Sequence, residues 1–198
     1  MNANILHTSH GQKTENTTFA KVPEHFEPTH TVNIKEFGKV TLRPISTADE
    51  KAMIAFHETL SEESVYLRYF EHISLDTRTL HERLARVCAN TPDSYAIVAE
   101  TFVNGDQPPK IIAVGRLTTT NTPGKSSFAL LITDNANDTG LPNELMRHLL
   151  AVARAYRFHA VVGELLVADH DSLNLCRSFG FKLHTVPEDG IVRVHCSL

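Results

Sequence analysis

The chain has no tryptophan, only three cysteines, and no apolar run of the roughly 20 residues needed to span a bilayer. Cys88, Cys176 and Cys196 are widely spaced, odd in number and form no C-x-x-C pair. That pattern argues against a disulfide framework or a cysteine zinc site, and makes a reducing cytoplasm the expected location. No positive segment followed by an apolar stretch opens the chain, so no secretory signal is read there. An excess of positive charge is missing too. Nineteen Lys and Arg stand against 23 Asp and Glu, a net charge of −4, which argues against a nucleic-acid binder working through a basic surface. The 12 histidines are scattered and show no H-x-x-x-H spacing, so no metal site is expected.

What is present suits one domain. With 198 residues, 41% of them hydrophobic, the chain has material for a full core. Residues 1–30 are polar and aperiodic, read as a flexible leader able to dock on the domain or a partner. Residues 31–34 and 39–43 alternate around Glu36-Phe37-Gly38, which predicts a hairpin. Helical periodicity follows over 48–60, 65–70 and 77–88. Strands are expected at 95–103 and 111–118, joined through Asn104-Gly105-Asp106 and Pro108-Pro109. A strand ending near Thr133 leads to a helix over 141–156, a strand over 161–167, a short helix over 172–178 and two last strands at 181–186 and 191–195. The sum is an α/β or α+β three-layer domain, with a mixed sheet and helices on both faces.

The joint after the strand Phe128–Ile132 carries the chemistry. Asn137-Asp138-Thr139-Gly140-Leu141-Pro142 is a short polar turn opening an amphipathic helix. A strand–turn–helix of this kind aims free N–H groups, with the positive end of the helix dipole behind them, into one volume suited to a diphosphate.

Three blocks give the joint a context. They are Val40-Thr41-Leu42-Arg43-Pro44-Ile45 with Asp49-Glu50, the turn itself, and Val161–Val167 followed by Asp169-His170-Asp171-Ser172 and Phe179-Gly180-Phe181. In this order and spacing they resemble the GNAT family of acetyl-CoA-dependent N-acyltransferases, over about residues 32–198. The opening, with Leu60-Ser61-Glu62-Glu63-Ser64-Val65-Tyr66-Leu67-Arg68-Tyr69-Phe70, is most similar to the protein-lysine acetyltransferase branch. The resemblance implies a three-layer GNAT-like fold with a mostly antiparallel central sheet. It also implies acetyl-CoA as acyl donor, a pantetheine arm held in a V-shaped gap between the family's fourth and fifth strands, and no metal. An amine acceptor, a protein lysine among the candidates, would attack the thioester directly in a ternary complex. The terminal strands of the fold often pair between subunits, so a homodimer is compatible with it.

Carried over residue by residue, the family's Q/R-x-x-G-x-G/A loop places Asn137 at the Gln/Arg position, Gly140 at the first glycine and Pro142 at the last Gly/Ala. Only Gly140 matches. The implied cofactor contacts are Leu131, Ile132 and Thr133 on the strand, Asn137, Thr139, Gly140, Leu141 and Asn143 at the helix head, and His170 after the next strand. Pro142 has no N–H to donate, although proline is tolerated in a first helical turn. Where relatives in this branch often carry a glutamate, the chain has Ser127, which is no base for an ammonium near neutral pH. Where many other relatives carry a tyrosine acid, it has Cys176, which is either a thiol able to protonate departing CoA or a small buried side chain. Glu164, and less so Glu100, are the carboxylates left as candidate bases. These departures keep two readings open. One is an acyl-CoA-dependent N-acyltransferase using Glu164 and Cys176. The other is a GNAT-like domain without catalysis, serving as an acyl-CoA sensor or protein-interaction module.

Overall fold

A computed structural model of the chain describes residues 17–102 and 108–198. The residues expected to make the turn at 104–109 lie partly outside that range. The hairpin is formed by β1 (His30–Ile34) and β2 (Gly38–Pro44), and Gly38 takes the positive φ of 65° that closes it. Four helices follow: α1 (Glu50–Glu58), α2 (Glu62–Tyr69), α3 (Leu75–Arg78) and α4 (His81–Val87). Then come β3 (Ser94–Thr101), β4 (Lys110–Thr119), β5 (Lys125–Ile132), α5 (Leu141–Ala155), β6 (Ala160–Leu166), α6 (His170–Ser178), β7 (Lys182–Val186) and β8 (Ile191–Ser197).

The strands form one sheet in the order β1-β2-β3-β4-β5-β6-β8-β7. Every neighbouring pair is antiparallel except β5 and β6. Helices cover both faces, so this is the expected three-layer mixed sheet. On one face, Met53 and Phe56 of α1, Val65 of α2 and Leu84 of α4 pack on Ala96, Val98 and Leu131. On the other, α5 buries Leu141, Leu145, Leu149 and Ala153 at four-residue spacing against Ile97, Ala113 and Leu117. Gly115 permits the close approach: a β-carbon there would lie 2.8 Å from Leu149 Cδ1 and 3.2 Å from Leu145 Cδ1.

The stretch expected to run as one helix over 77–88 is two. Leu80 adopts an extended ψ of 131° and starts α4, while the Thr79 hydroxyl donates back to Leu75 O at 2.9 Å. Buried Arg78 holds the break in place, donating to Ile73 O and His57 O. Within the stretch read as a leader, Phe19 is buried against Tyr95, Tyr156 and Phe158, and its N–H donates to Pro92 O at 2.7 Å.

Candidate functional site

Strands β5 and β6 pair only at Lys125–Ala160, Ser126–Val161 and Ser127–Val162. Beyond these three positions they part. The Phe128 ring lies over Gly163, where a β-carbon would come within 2.7 Å of its Cε1, and it packs on Phe181 with ring centroids 5.5 Å apart. The two strands then open into a cleft of about 660 Å³, walled by α2, the head of α5 and one side of α6. A second cavity, of about 270 Å³, lies apart from it between Phe19, Tyr95 and Tyr156.

Register decides which backbone groups face this cleft. Thr133 N–H donates to Ile112 O at 2.9 Å, and Thr120 N–H to Lys125 O at 3.2 Å, so odd-numbered β5 residues spend their backbone groups on β4. Leu130 and Ile132, with the opposite parity, turn theirs towards β6, which has already moved away. Ile132, named from the sequence, therefore has its backbone groups directed towards the cleft. Leu131 lines the cleft without free backbone groups, and Thr133 is a buried β4-bonded residue whose hydroxyl donates to Thr59 Oγ1 at 3.3 Å. Leu130 has the donor that Leu131 and Thr133 lack, and only the β4–β5 register reveals it.

At the far end the chain turns through Asp134–Ala136 into α5. The Asp134 carboxylate accepts from Ser61 N–H at 3.1 Å and Ser64 Oγ at 2.6 Å, which ties the start of α2 to this turn. Thr139 serves the turn itself: its hydroxyl donates to Ala136 O at 2.7 Å and accepts from Leu141 N–H at 3.2 Å. Glu144 N–H goes to Gly140 O, and Pro142 has no N–H. Asn143 N–H is then the first-turn donor left to point out of the helix. Asn137, Pro142 and Asn143 line the cleft, whereas Thr139, Gly140 and Leu141 shape the turn without lining it.

The candidate acids and bases separate clearly. Glu164 lines the cleft, half exposed, and accepts from Arg193 Nε at 3.0 Å across the β6–β8 pair. Glu100 is spent elsewhere, paired at 2.7 Å with Arg43, which also binds Asp49. Cys176 is fully buried on the inner side of α6 and does not line the cleft. Burial pushes its thiol up to about 12. A thiol sealed from the cleft and held above its ordinary range is poorly placed to protonate a departing thiolate, so Cys176 serves packing. His170 is exposed at the start of α6, outside the cleft lining. Asp169 does line it: its carboxylate accepts from Ser172 N–H at 3.0 Å as the cap of α6, and burial raises its pKa. Among the described residues no group of three or more His, Cys, Asp or Glu is placed to hold a metal ion.

The α2 wall supplies Ser64, Leu67, Arg68, Tyr69 and Phe70. Phe70 ends that helix in the left-handed region, with φ 63°, and is partly exposed. Tyr66 points elsewhere, exposed and stacked on His72. Arg68 escapes a reading of α2 by itself, where arginine passes for a solvated helix face. The sequence signal was across the sheet, in Arg116, a charge inside the otherwise apolar Ile111–Leu117.

No protein-family model matches the chain. A Pseudomonas aeruginosa protein named as an acetyltransferase is 26% identical over 170 residues, spanning 85% of this chain and 89% of that one. The GNAT domain of S. lividans PAT superposes with a TM-score of 0.73 at 24% identity, over 90% of this chain and all of that domain. Mycobacterium smegmatis RimJ, solved in complex with CoA-disulfide, gives 0.68 at 12% identity, over 89% and 90% of the two chains. The PaiA N-acetyltransferase of Thermoplasma acidophilum, solved with coenzyme A, gives 0.63 at 12%, over 80% and 99%. The open β5–β6 junction, the helix head at its end and these superpositions agree: the chain has the fold of the GNAT acetyltransferases.

Proposed function

We propose that the chain is an acyl-CoA-dependent N-acyltransferase whose donor lies in the β5–β6 cleft. The observation that carries this reading is the early end of strand pairing at Ser127–Val162, which leaves Leu130 and Ile132 with unpaired backbone groups along one wall. A pantetheine arm has amides spaced to bond such an edge as an added strand. Asn143 N–H and the Asn137 and Asn143 side-chain amides face its diphosphate, with the α5 dipole behind them.

The acceptor is a primary amine, and the sequence resemblance makes a protein lysine the first class to examine. Its nitrogen attacks the thioester carbonyl, a C–N bond forms, the C–S bond breaks, and CoA leaves as the thiolate. Glu164, on the strand facing the open edge of β5, takes the proton lost by nitrogen, directly or through one water. No thiol acid takes part, because Cys176 is sealed in the core.

Isothermal titration of acetyl-CoA, with free CoA beside it, tests the cleft. Saturable binding of both supports the reading, and absence of binding at millimolar ligand refutes it. For the chemistry, Glu164→Gln is expected to remove the rising limb of the pH–rate profile and lower kcat by about 100-fold. An unchanged profile removes Glu164 from the mechanism. Binding of acyl-CoA without turnover on any amine would favour the second reading, an acyl-CoA sensor.

A further inference from the structure

The fold compensates one of its half-buried arginines fully: Arg43 has Asp49 at 2.8 Å and Glu100 at 2.7 Å. Three others, gathered on the α1–α4 face beside the parting of β5 and β6, lack any such partner. Arg68 lines the cleft and has no hydrogen-bond or ion-pair partner among the described residues; its Cζ lies 4.9 Å from the centroid of the Tyr69 ring. Arg83 lies 5.1 Å from the same ring. Arg116, on β4 opposite Ala129, is fixed by Ser94 Oγ at 2.6 Å and by Val87 O. Among the described residues no carboxylate lies within 4.0 Å of any of the three. Burial holds the guanidinium of Arg68 below its ordinary value, and Arg83 adds to the effect; for Arg116 burial acts with Arg68. Gathering like charges away from water without a counter-charge is costly, and it persists where a ligand supplies the missing charge. A guanidinium with unspent donors is shaped for a bidentate carboxylate.

Building on the acyltransferase reading, we propose that Arg68, backed by Arg83 and Arg116, is the receptor for a substrate carboxylate at the reacting end of the cleft. The carboxylate belongs to the acceptor, as an amino acid or an acidic residue beside a target lysine, or to the acyl group, as a dicarboxylic acid held as its CoA monothioester. Arg68 makes the contact, while the other two arginines hold the local potential positive and Arg83 packs on the Tyr69 ring.

The test uses ligand pairs differing by one carboxylate, titrated into the whole protein. In the acceptor arm the protein is saturated with free CoA. Amino acids are then compared with their carboxamides, and a lysine peptide flanked by glutamates with the same peptide flanked by glutamines. In the donor arm succinyl-CoA is compared with acetyl-CoA. At least tenfold tighter binding of the carboxylated member in one arm, abolished in Arg68→Gln and partly kept in Arg68→Lys, is the expected result, and the arm that shows it identifies the source. Saturation of both variants by free CoA serves as the check that they fold. Equal binding in both arms, or a preference that survives Arg68→Gln, overturns the inference while leaving the CoA cleft intact. Failure of wild-type protein to bind CoA at all overturns the acyltransferase reading instead.

Discussion

At the scale of single residues, burial decides which groups react and which only pack. His57 is the clearest case outside the cleft. It is buried, its Nδ1 has no partner, and burial with nearby Arg78 and Arg83 pushes its pKa down to about 4. The unfolded chain takes up a proton near pH 6.5 that the folded chain refuses until about pH 4. Stability that is complete above pH 6.5 is therefore lost as pH falls through that window, by at most roughly 3 kcal/mol from this residue. Denaturant unfolding followed from pH 8 to 4 should show the slope, and His57→Leu should flatten it. Buried His148 is shifted in the same direction and should leave a residual slope in the variant. Buried residues at this scale were hard to read in the sequence. Cys176 stood at a position where many relatives carry a catalytic group, and only its inward orientation on α6 removes it from the chemistry.

At the scale of elements, two glycines packed closely against apolar side chains serve different ends, and substituting them should separate packing from binding. Gly115 lets α5 settle on β4 through Leu145 and Leu149, on a strand that does not line the cleft. Gly163 makes room for Phe128 where β5 and β6 part, and its β-carbon would also meet Val194 at 3.2 Å. Both Gly115→Ala and Gly163→Ala overpack the interior, with an expected loss of about 1–3 kcal/mol each in thermal or denaturant unfolding. Gly163→Ala should in addition weaken CoA binding several-fold, because Phe128 must move. Gly115→Ala should leave CoA affinity as it was, and an equal loss in both would show that Gly163 has no special relation to the cleft. Elements themselves were largely legible. The hairpin announced itself by alternation around Gly38, and α5 by its four-residue apolar spacing. The break between α3 and α4 was not legible, because it depends on Arg78 finding carbonyls on neighbouring segments. Nor was the parity of β5, since which backbone groups point outward is fixed by pairing with β4 and by nothing local.

At the scale of the whole molecule, distant parts of the chain complete one another. Phe19 fills a space among Tyr95, Tyr156 and Phe158, three residues from the middle and later parts of the chain. Phe19→Ala should cost about 3 kcal/mol and lower Tm by roughly 6–12 °C, readable by calorimetry, with CoA affinity preserved because the ring is remote from the cleft. A Tm within a degree of wild type would mean that the segment contributes nothing to the core. No helix among the described residues is long and apolar enough to cross a membrane. The three-position contact between β5 and β6 has a mechanical side as well. It divides the sheet into a five-stranded and a three-stranded panel, joined by a short seam and by the helices packed over it. A seam this short is where the molecule should breathe first, so amide protons of β6 near Val162 should exchange with solvent sooner than those of β3. A ligand bonded along Leu130 and Ile132 would act as a splint across the two panels, slowing that exchange at positions it never touches.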